Sequence, residues 1–126
     1  MNEITRSRPQ TISQAVARSD SWISFLHDAD QFLDEFYADP KSERFEEAPN
    51  AKGAMLAFSA ALTAELSKQN NWETPLWAAV ELTRLESPLF PLDPITERYK
   101  AHLLAFSLPE FKARNLYFGE AVLKRA

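Results

Sequence analysis

The sequence contains no cysteine, only two glycines (Gly53 and Gly119) and only two histidines (His27 and His102). Without thiols there are no disulfides, thiolate nucleophiles, iron–sulfur clusters or cysteine-ligated zinc sites. Two isolated glycines cannot form the phosphate-binding loops GxGxxG or GxxxxGK[ST], and the serine motif GxSxG is also missing. We therefore predict no catalytic residue, no metal ligand and no cofactor, and the enzyme question stays open with a leaning towards no.

Long apolar segments are missing as well. No window approaches the roughly 18 consecutive apolar residues that a bilayer-spanning helix requires. The first ten residues are polar, carry Arg6 and Arg8, and lack the apolar region of a secretory signal peptide. These features predict a cytoplasmic protein with no membrane partner.

What is present favours helices. The chain has 126 residues, of which 45% are hydrophobic and 25% are charged, as in one ordinary soluble domain. No stretch alternates steadily between polar and apolar residues, and neither Asn-Gly nor Asp-Gly occurs. We predict an all-α fold, a compact bundle of about five or six short helices in a single domain over residues 1–126. Residues 1–10 are expected to be flexible, and residues 39–50 to form an acidic connecting loop.

Two strong helices should build the core. From Ser21 to Ala38, large apolar side chains recur every three or four residues, and the pair Asp39-Pro40 closes the pattern. A second, alanine-rich helix is predicted from Ala51 to about Asn70, with Asn50 as its N-cap.

Shorter helices are marked by caps and prolines. A threonine or aspartate followed by proline can cap and open a helix, and an Ser/Thr-x-x-Glu/Gln pattern forms a capping box. These signals predict helix starts at Thr11 (with Gln14), Thr74-Pro75, Asp93-Pro94 and Ser107 (with Glu110). The helices opened at Thr74 and Asp93 should extend to Leu85 and Phe106.

Two groups of carboxylates were considered for chemistry. His27, Asp30 and Asp34 are spaced i, i+3 and i+7, so they share one helix face and could approach one cation. Glu43, Glu46 and Glu47 could supply paired carboxylates, but the surrounding segment predicts a solvated loop rather than a dry site. His102, beside Leu103-Leu104, is interpreted as a hydrogen-bonded histidine at the edge of the core.

Charge is segregated along the chain. Residues 19–50 contain nine acidic side chains against Lys41 and Arg44, whereas residues 98–126 contain six basic ones against Glu110 and Glu120. Two solvated faces that attract each other would explain this pattern, and so would a basic contact surface near the C-terminus. Arginine grips carboxylate or phosphate in a fork, and exposed aromatic rings add rigid contact area. We therefore predict a partner-contact surface made of Arg98, Lys100, Arg114, Tyr117 and Phe118, with Tyr99 and Lys124 interleaved.

Residues 51–126 also resemble a group of small all-helical bacterial domains of unassigned biochemistry. The resemblance lies in the alanine-rich stretch Ala51–Leu66, in Pro75-Leu76-Trp77, in Glu86–Phe90 and in the run Ser107–Phe118. That run follows a Ser-Pro-x-x-Phe-[Lys/Arg]-x-Arg pattern with an aromatic pair, except that Leu108 separates Ser107 from Pro109. Such domains lie behind a DNA-binding helix-turn-helix in some chains, and others belong to gene pairs that resemble toxin–antitoxin systems. Residues 1–50 are too acidic and too aromatic to resemble that DNA-binding segment.

These observations predict a non-catalytic protein-interaction or regulatory module. Its partner would be another protein, such as the second member of a toxin–antitoxin-like pair, or a second copy of itself. Two alternatives stay open: a small metal-dependent enzyme that uses His27, Asp30 and Asp34, and nucleic-acid contact through the basic C-terminal face. The overall charge of −4 disfavours the second alternative.

Overall fold

The structure, a computed structural model, describes residues 8–91 and 95–124, and it confirms the all-α class. These residues form six α-helices and three short 3-10 turns, with no β-strand among them. They fall into two compact units, residues 8–50 and residues 51–124. The two predicted core helices belong to different units, and each is the longest helix of its own unit. That all 126 residues form one domain stays a prediction.

The first unit consists of helix α1 (Ile12–Ala17), helix α2 (Trp22–Ala38) and a 3-10 turn (Ser42–Phe45). Both predicted helix starts are confirmed. The Thr11 hydroxyl accepts a hydrogen bond from the Gln14 amide, and Ser21 and Ser24 cap α2 reciprocally. The apolar stripe of α2 is buried as the periodicity predicts, and Phe45 packs edge-on against Phe32 with ring centroids 5.5 Å apart.

The predicted connecting loop, residues 39–50, is anchored at its centre. The Arg44 side chain is buried and donates hydrogen bonds to the backbone oxygens of Asp39 and Gln10, at 3.0 and 2.8 Å. Gln10 and Arg8 in turn hydrogen-bond the Glu35 carboxylate. The described part of the predicted flexible N-terminus, residues 8–10, is therefore tied to α2 and to the 3-10 turn, while residues 1–7 lie outside the described residues.

The second unit is built around helix α3 (Gly53–Gln69), in which every residue from Ala57 to Ser67 is buried. A helix that is buried all the way round is a core helix, as its alanine-rich and apolar sequence predicts. It ends where the asparagines predict, because Asn70 is the C-cap and Asn71 adopts the left-handed conformation with φ of 59°.

The start of α3 differs from the prediction. Lys52, not Asn50, occupies the N-cap position, and no side chain caps the helix. Gly53 opens it with φ of +62°, a conformation that a β-carbon would strain. The predicted Asn50 cap was therefore wrong, because the chain enters the helix through a left-handed turn at Gly53.

The predicted helix from Thr74 to Leu85 is also wrong. The structure contains a 3-10 turn (Leu76–Ala78) and one turn of helix, α4 (Val80–Thr83), and Thr74 caps neither. Ala79, with ψ of 142°, separates the two elements. Both pieces pack against α3, so tertiary contact, rather than continuous helical hydrogen bonding, determines this segment.

Helix α5 (Glu97–Phe106) and helix α6 (Pro109–Ala113) follow, and a final 3-10 turn covers Glu120–Leu123. The predicted Asp93-Pro94 start lies outside the described residues, and the cap observed for α5 is Thr96. The Ser107–Glu110 capping box is not formed, because the Ser107 hydroxyl donates to the Leu103 carbonyl at the end of α5. Leu108 is the N-cap of α6, and Pro109 takes its first position.

Candidate interaction surface

Arg114, predicted to be a surface contact, is instead a core residue with 2% of its surface exposed. Its guanidinium group donates to the Ala78 carbonyl at 2.7 Å and to the Glu110 carbonyl at 2.8 Å. It also donates to the Thr83 hydroxyl at 3.2 Å and to the Glu110 carboxylate at 3.1 Å. Arg114 thus ties α6 to α4 and to the preceding 3-10 turn, and the predicted contact surface was wrong at this residue.

Glu110 connects the same network to α3. Its second carboxylate oxygen pairs with Lys68 Nζ at 3.3 Å, and its backbone amide donates to the buried Glu65 carboxylate at 3.2 Å. Partial burial by itself would raise the pKa of the Glu110 carboxyl group. Hydrogen bonds from Arg114 and Lys68 outweigh that burial, so the pKa lies below its ordinary value. The network stabilises the packing of α6 on α3 and presents little charge to a partner.

The predicted aromatic contacts divide in the same way. Phe118 has 5% of its surface exposed and packs edge-on against Phe58, with ring centroids 5.5 Å apart. Tyr117 is half-buried and stacks on Phe90 at 5.2 Å, while Lys100 Nζ lies 5.5 Å from the centre of the Phe90 ring. The prediction that Phe118 contacts a partner was wrong, because the ring lies in the core, whereas Tyr117 and Lys100 border the surface.

Helix α5 supplies the exposed surface that the other elements do not. Leu103 is its one buried residue. On a neighbouring side of the helix, Tyr99, His102 and Phe106 follow at i, i+3 and i+7, with Arg98 and Ala105 beside them. We call these five residues the α5 outer face. Tyr99 is 39% exposed, Phe106 is 68% exposed, and the other three are classed as exposed.

The side chains of this face form a continuous aromatic row. The Tyr99 and His102 rings are stacked with centroids 6.3 Å apart, and the His102 and Phe106 rings are 5.0 Å apart. His102 was predicted to be a hydrogen-bonded residue at the edge of the core. That prediction was wrong, because the ring lies in the open between two exposed aromatic rings. Arg98, at the start of the row, is the one charged member of the face.

The carboxylate groups considered for chemistry do not converge. His27 is exposed and lies 3.1 Å from the Gln31 amide nitrogen. Glu43, Glu46 and Glu47 are exposed on the surface of the first unit. Across residues 8–91 and 95–124, no three histidine or carboxylate side chains cluster closely enough to hold a metal ion.

A shallow cleft in the first unit has a volume of about 500 Å³ and is lined by Arg8, Gln10, Gln14, Ala17 and Arg18. Both of its arginines already have acidic partners. Arg8 pairs with Glu35 at 3.3 Å, and Arg18 lies 3.5 Å from the buried Asp28 carboxylate. The cleft therefore offers no concentrated positive charge to an anionic ligand.

Comparison with known proteins adds no assignment: no family model, no curated protein and no solved structure matches the chain. The resemblance over residues 51–126 stays a prediction. Within the described part of the chain, no helix has both the length and the apolar character needed to cross a membrane.

The sequence prediction thus identified the right region and chose the wrong side chains within it. Of the five predicted contact residues, Arg98 and Lys100 lie on α5, Tyr117 borders the surface, and Arg114 and Phe118 are buried. The reasoning missed His102 and Phe106. A signal for them was present, because helix α5 carries apolar residues on more of its circumference than its single buried contact, Leu103, uses.

Proposed function

We propose that this protein is a non-catalytic interaction module that binds another protein chain through the α5 outer face. The observation that supports it is the exposed aromatic row Tyr99–His102–Phe106. Soluble proteins rarely expose contiguous apolar side chains without a binding role. Aromatic side chains and arginine are also the residue types enriched at the energetic centres of protein interfaces.

The charge on this face fits a protein partner better than an extended nucleic-acid surface. Arg98 is its single charged member, and the burial of Arg114 removes a second arginine from the predicted basic surface. Nucleic-acid affinity depends on several phosphate contacts made at once. One exposed arginine beside three aromatic rings instead resembles the aromatic and arginine anchors of a protein interface.

The module would act as a regulatory component, and the resemblance over residues 51–126 implies a role in a toxin–antitoxin-like pair. We place its action in the cytoplasm of a bacterial cell, as the sequence predicts. The structure bears on this role only through the binding surface, so the experiment addresses that surface directly.

The test is affinity capture from native cytoplasm with tagged wild-type protein and with His102→Glu and Phe106→Asp variants, all treated with nuclease. Leu104→Glu is the matched control, because Leu104 lies on the same helix, is 43% exposed and points about 160° away from His102. We expect a protein bound at near-unit stoichiometry to be lost from both face variants and kept by the control. Equal capture by all four proteins would contradict the proposal, as would a bound chain that chemical cross-linking places away from α5.

A further inference from the structure

We propose that the α5 outer face pairs with the same face of a second copy, which makes the protein an antiparallel, two-fold symmetric homodimer centred on His102. This inference rests on the proposed function and specifies the partner of that surface. It follows from the order of side chains along the face and from the hydrogen bonding at the end of α5.

The order of the five side chains is self-complementary. In a symmetric antiparallel pair each residue contact occurs twice, once in each direction. With His102 on the two-fold axis, Tyr99 lies opposite the second copy's Ala105, and Arg98 lies opposite the second copy's Phe106. A large ring then meets a small methyl group, and a guanidinium group meets an aromatic face, in both halves of the interface. The same helix run in parallel would place Arg98 beside Arg98 and Phe106 beside Phe106.

The charge distribution also favours the antiparallel arrangement. Beyond α5, the amides that would continue its hydrogen bonds are diverted or missing. Leu108 N donates to the Phe118 carbonyl, Pro109 has no N–H, and Glu110 N donates to Glu65. The carbonyl groups of the last turn of α5 therefore keep their acceptor capacity, at the negative end of the helix dipole. An antiparallel copy brings its Arg98 to that end, so a cation meets acceptor groups twice.

The interface would be small. Five side chains per copy fall below the 20–30 residues per side of a standard interface, so we expect an affinity in the micromolar range. Sedimentation velocity over roughly 1–200 µM covers that range. The wild-type protein should shift from monomer to dimer as the concentration rises.

Substitutions on the face should change the dimer without changing the fold. His102→Glu places two like charges at the axis, and Phe106→Ala removes an aromatic contact in both halves. Each should weaken dimerisation by about 10- to 100-fold, because burial of a phenyl ring contributes roughly 1.5–3 kcal/mol. Leu104→Glu should leave the dimer unchanged. Far-UV circular dichroism and a thermal melt of each variant separate loss of pairing from loss of folding.

The missing cysteines allow a direct test of register. A residue on the two-fold axis meets its own copy, so His102→Cys should cross-link efficiently under mild oxidation, within the Cα separation of about 4.4–6.8 Å that disulfides allow. Leu104→Cys, which points away from the interface, should remain uncross-linked under the same conditions. Equal cross-linking of the two variants would overturn the proposed register.

The outcomes separate this inference from the proposed function. A wild-type protein that stays monomeric at 200 µM, with no selective cross-link at residue 102, overturns the homodimer. If the face variants then still lose a captured protein, the interaction module stands with a different partner. If they lose none, both proposals fail.

Discussion

Replacement of Arg114 by alanine tests whether the buried network, rather than surface contact, is the role of this residue. The guanidinium group is 2% exposed and donates to Ala78, Thr83 and both the backbone and the carboxylate of Glu110. Alanine would leave these acceptors without their donor inside the second unit.

The magnitude follows from the burial of these groups. Leaving a buried polar group unsatisfied costs about 1–3 kcal/mol, and breaking a buried ion pair by removing one partner costs about 3–5 kcal/mol. Glu110 keeps Lys68 as a partner and its side chain is 26% exposed, so part of the cost is relieved by water and by that lysine. We expect Arg114→Ala to lower the free energy of unfolding by about 3–4 kcal/mol. That is a large share of the 5–15 kcal/mol typical of a folded domain.

Urea unfolding measured by tryptophan fluorescence provides the assay, because Trp72 and Trp77 lie in the same unit as Arg114. Arg98→Ala is the control, since it removes an exposed arginine and should change stability by less than about 0.5 kcal/mol. Arg114→Lys should recover less than half of the loss, because an ammonium group cannot span acceptors on three elements. A loss below about 1 kcal/mol for Arg114→Ala would refute the structural role.

Three further predictions address the pH response and the helix ends. The lowered pKa of Glu110 means that its carboxylate stabilises the folded state at neutral pH. This contribution is lost as the pH falls through the ordinary glutamate range near 4.3 and below, so Glu110→Gln should show a shallower loss of urea stability between pH 6 and pH 3 than the wild type. Ser21→Ala should lower the free energy of unfolding by about 1 kcal/mol, whereas Thr74→Ala, which removes no cap, should stay within about 0.5 kcal/mol; equal losses would contradict the observed caps. Asn71→Ala should lower the melting temperature through a cost of about 1 kcal/mol in the left-handed region, and Asn71→Gly should not, so a melting temperature unchanged by alanine would argue against that backbone conformation.

Local signals in the sequence were sufficient for the long helices. The apolar spacing of α2, its Ser21 start and its end before Pro40 all depend on residues within one or two helical turns. The alanine-rich α3 and its asparagine stop were predicted for the same reason. Where a helix is long and its caps are adjacent, neighbouring residues determine the outcome, and a single sequence contains them.

Tertiary structure decided the short elements and the fate of individual polar side chains. Thr74-Pro75 carries the local signature of a helix start, yet the chain forms a 3-10 turn and one helical turn that pack against α3. A short helix gains little from its own hydrogen bonds, so packing overrides propensity there.

The same distinction explains the contact surface. The sequence shows that Arg114 is basic and that His102 lies beside leucines, but it does not show which acceptors or neighbours surround either side chain. Arg114 is buried because the carbonyls of Ala78 and Glu110 and the hydroxyl of Thr83 converge on it from separate elements. His102 is exposed because α5 buries only Leu103, which leaves an aromatic face in solvent. Composition and periodicity by themselves determined that this protein is helical and which long helices it forms, whereas the long-range convergence of polar groups decided which arginine is structural and which helix face is free to bind.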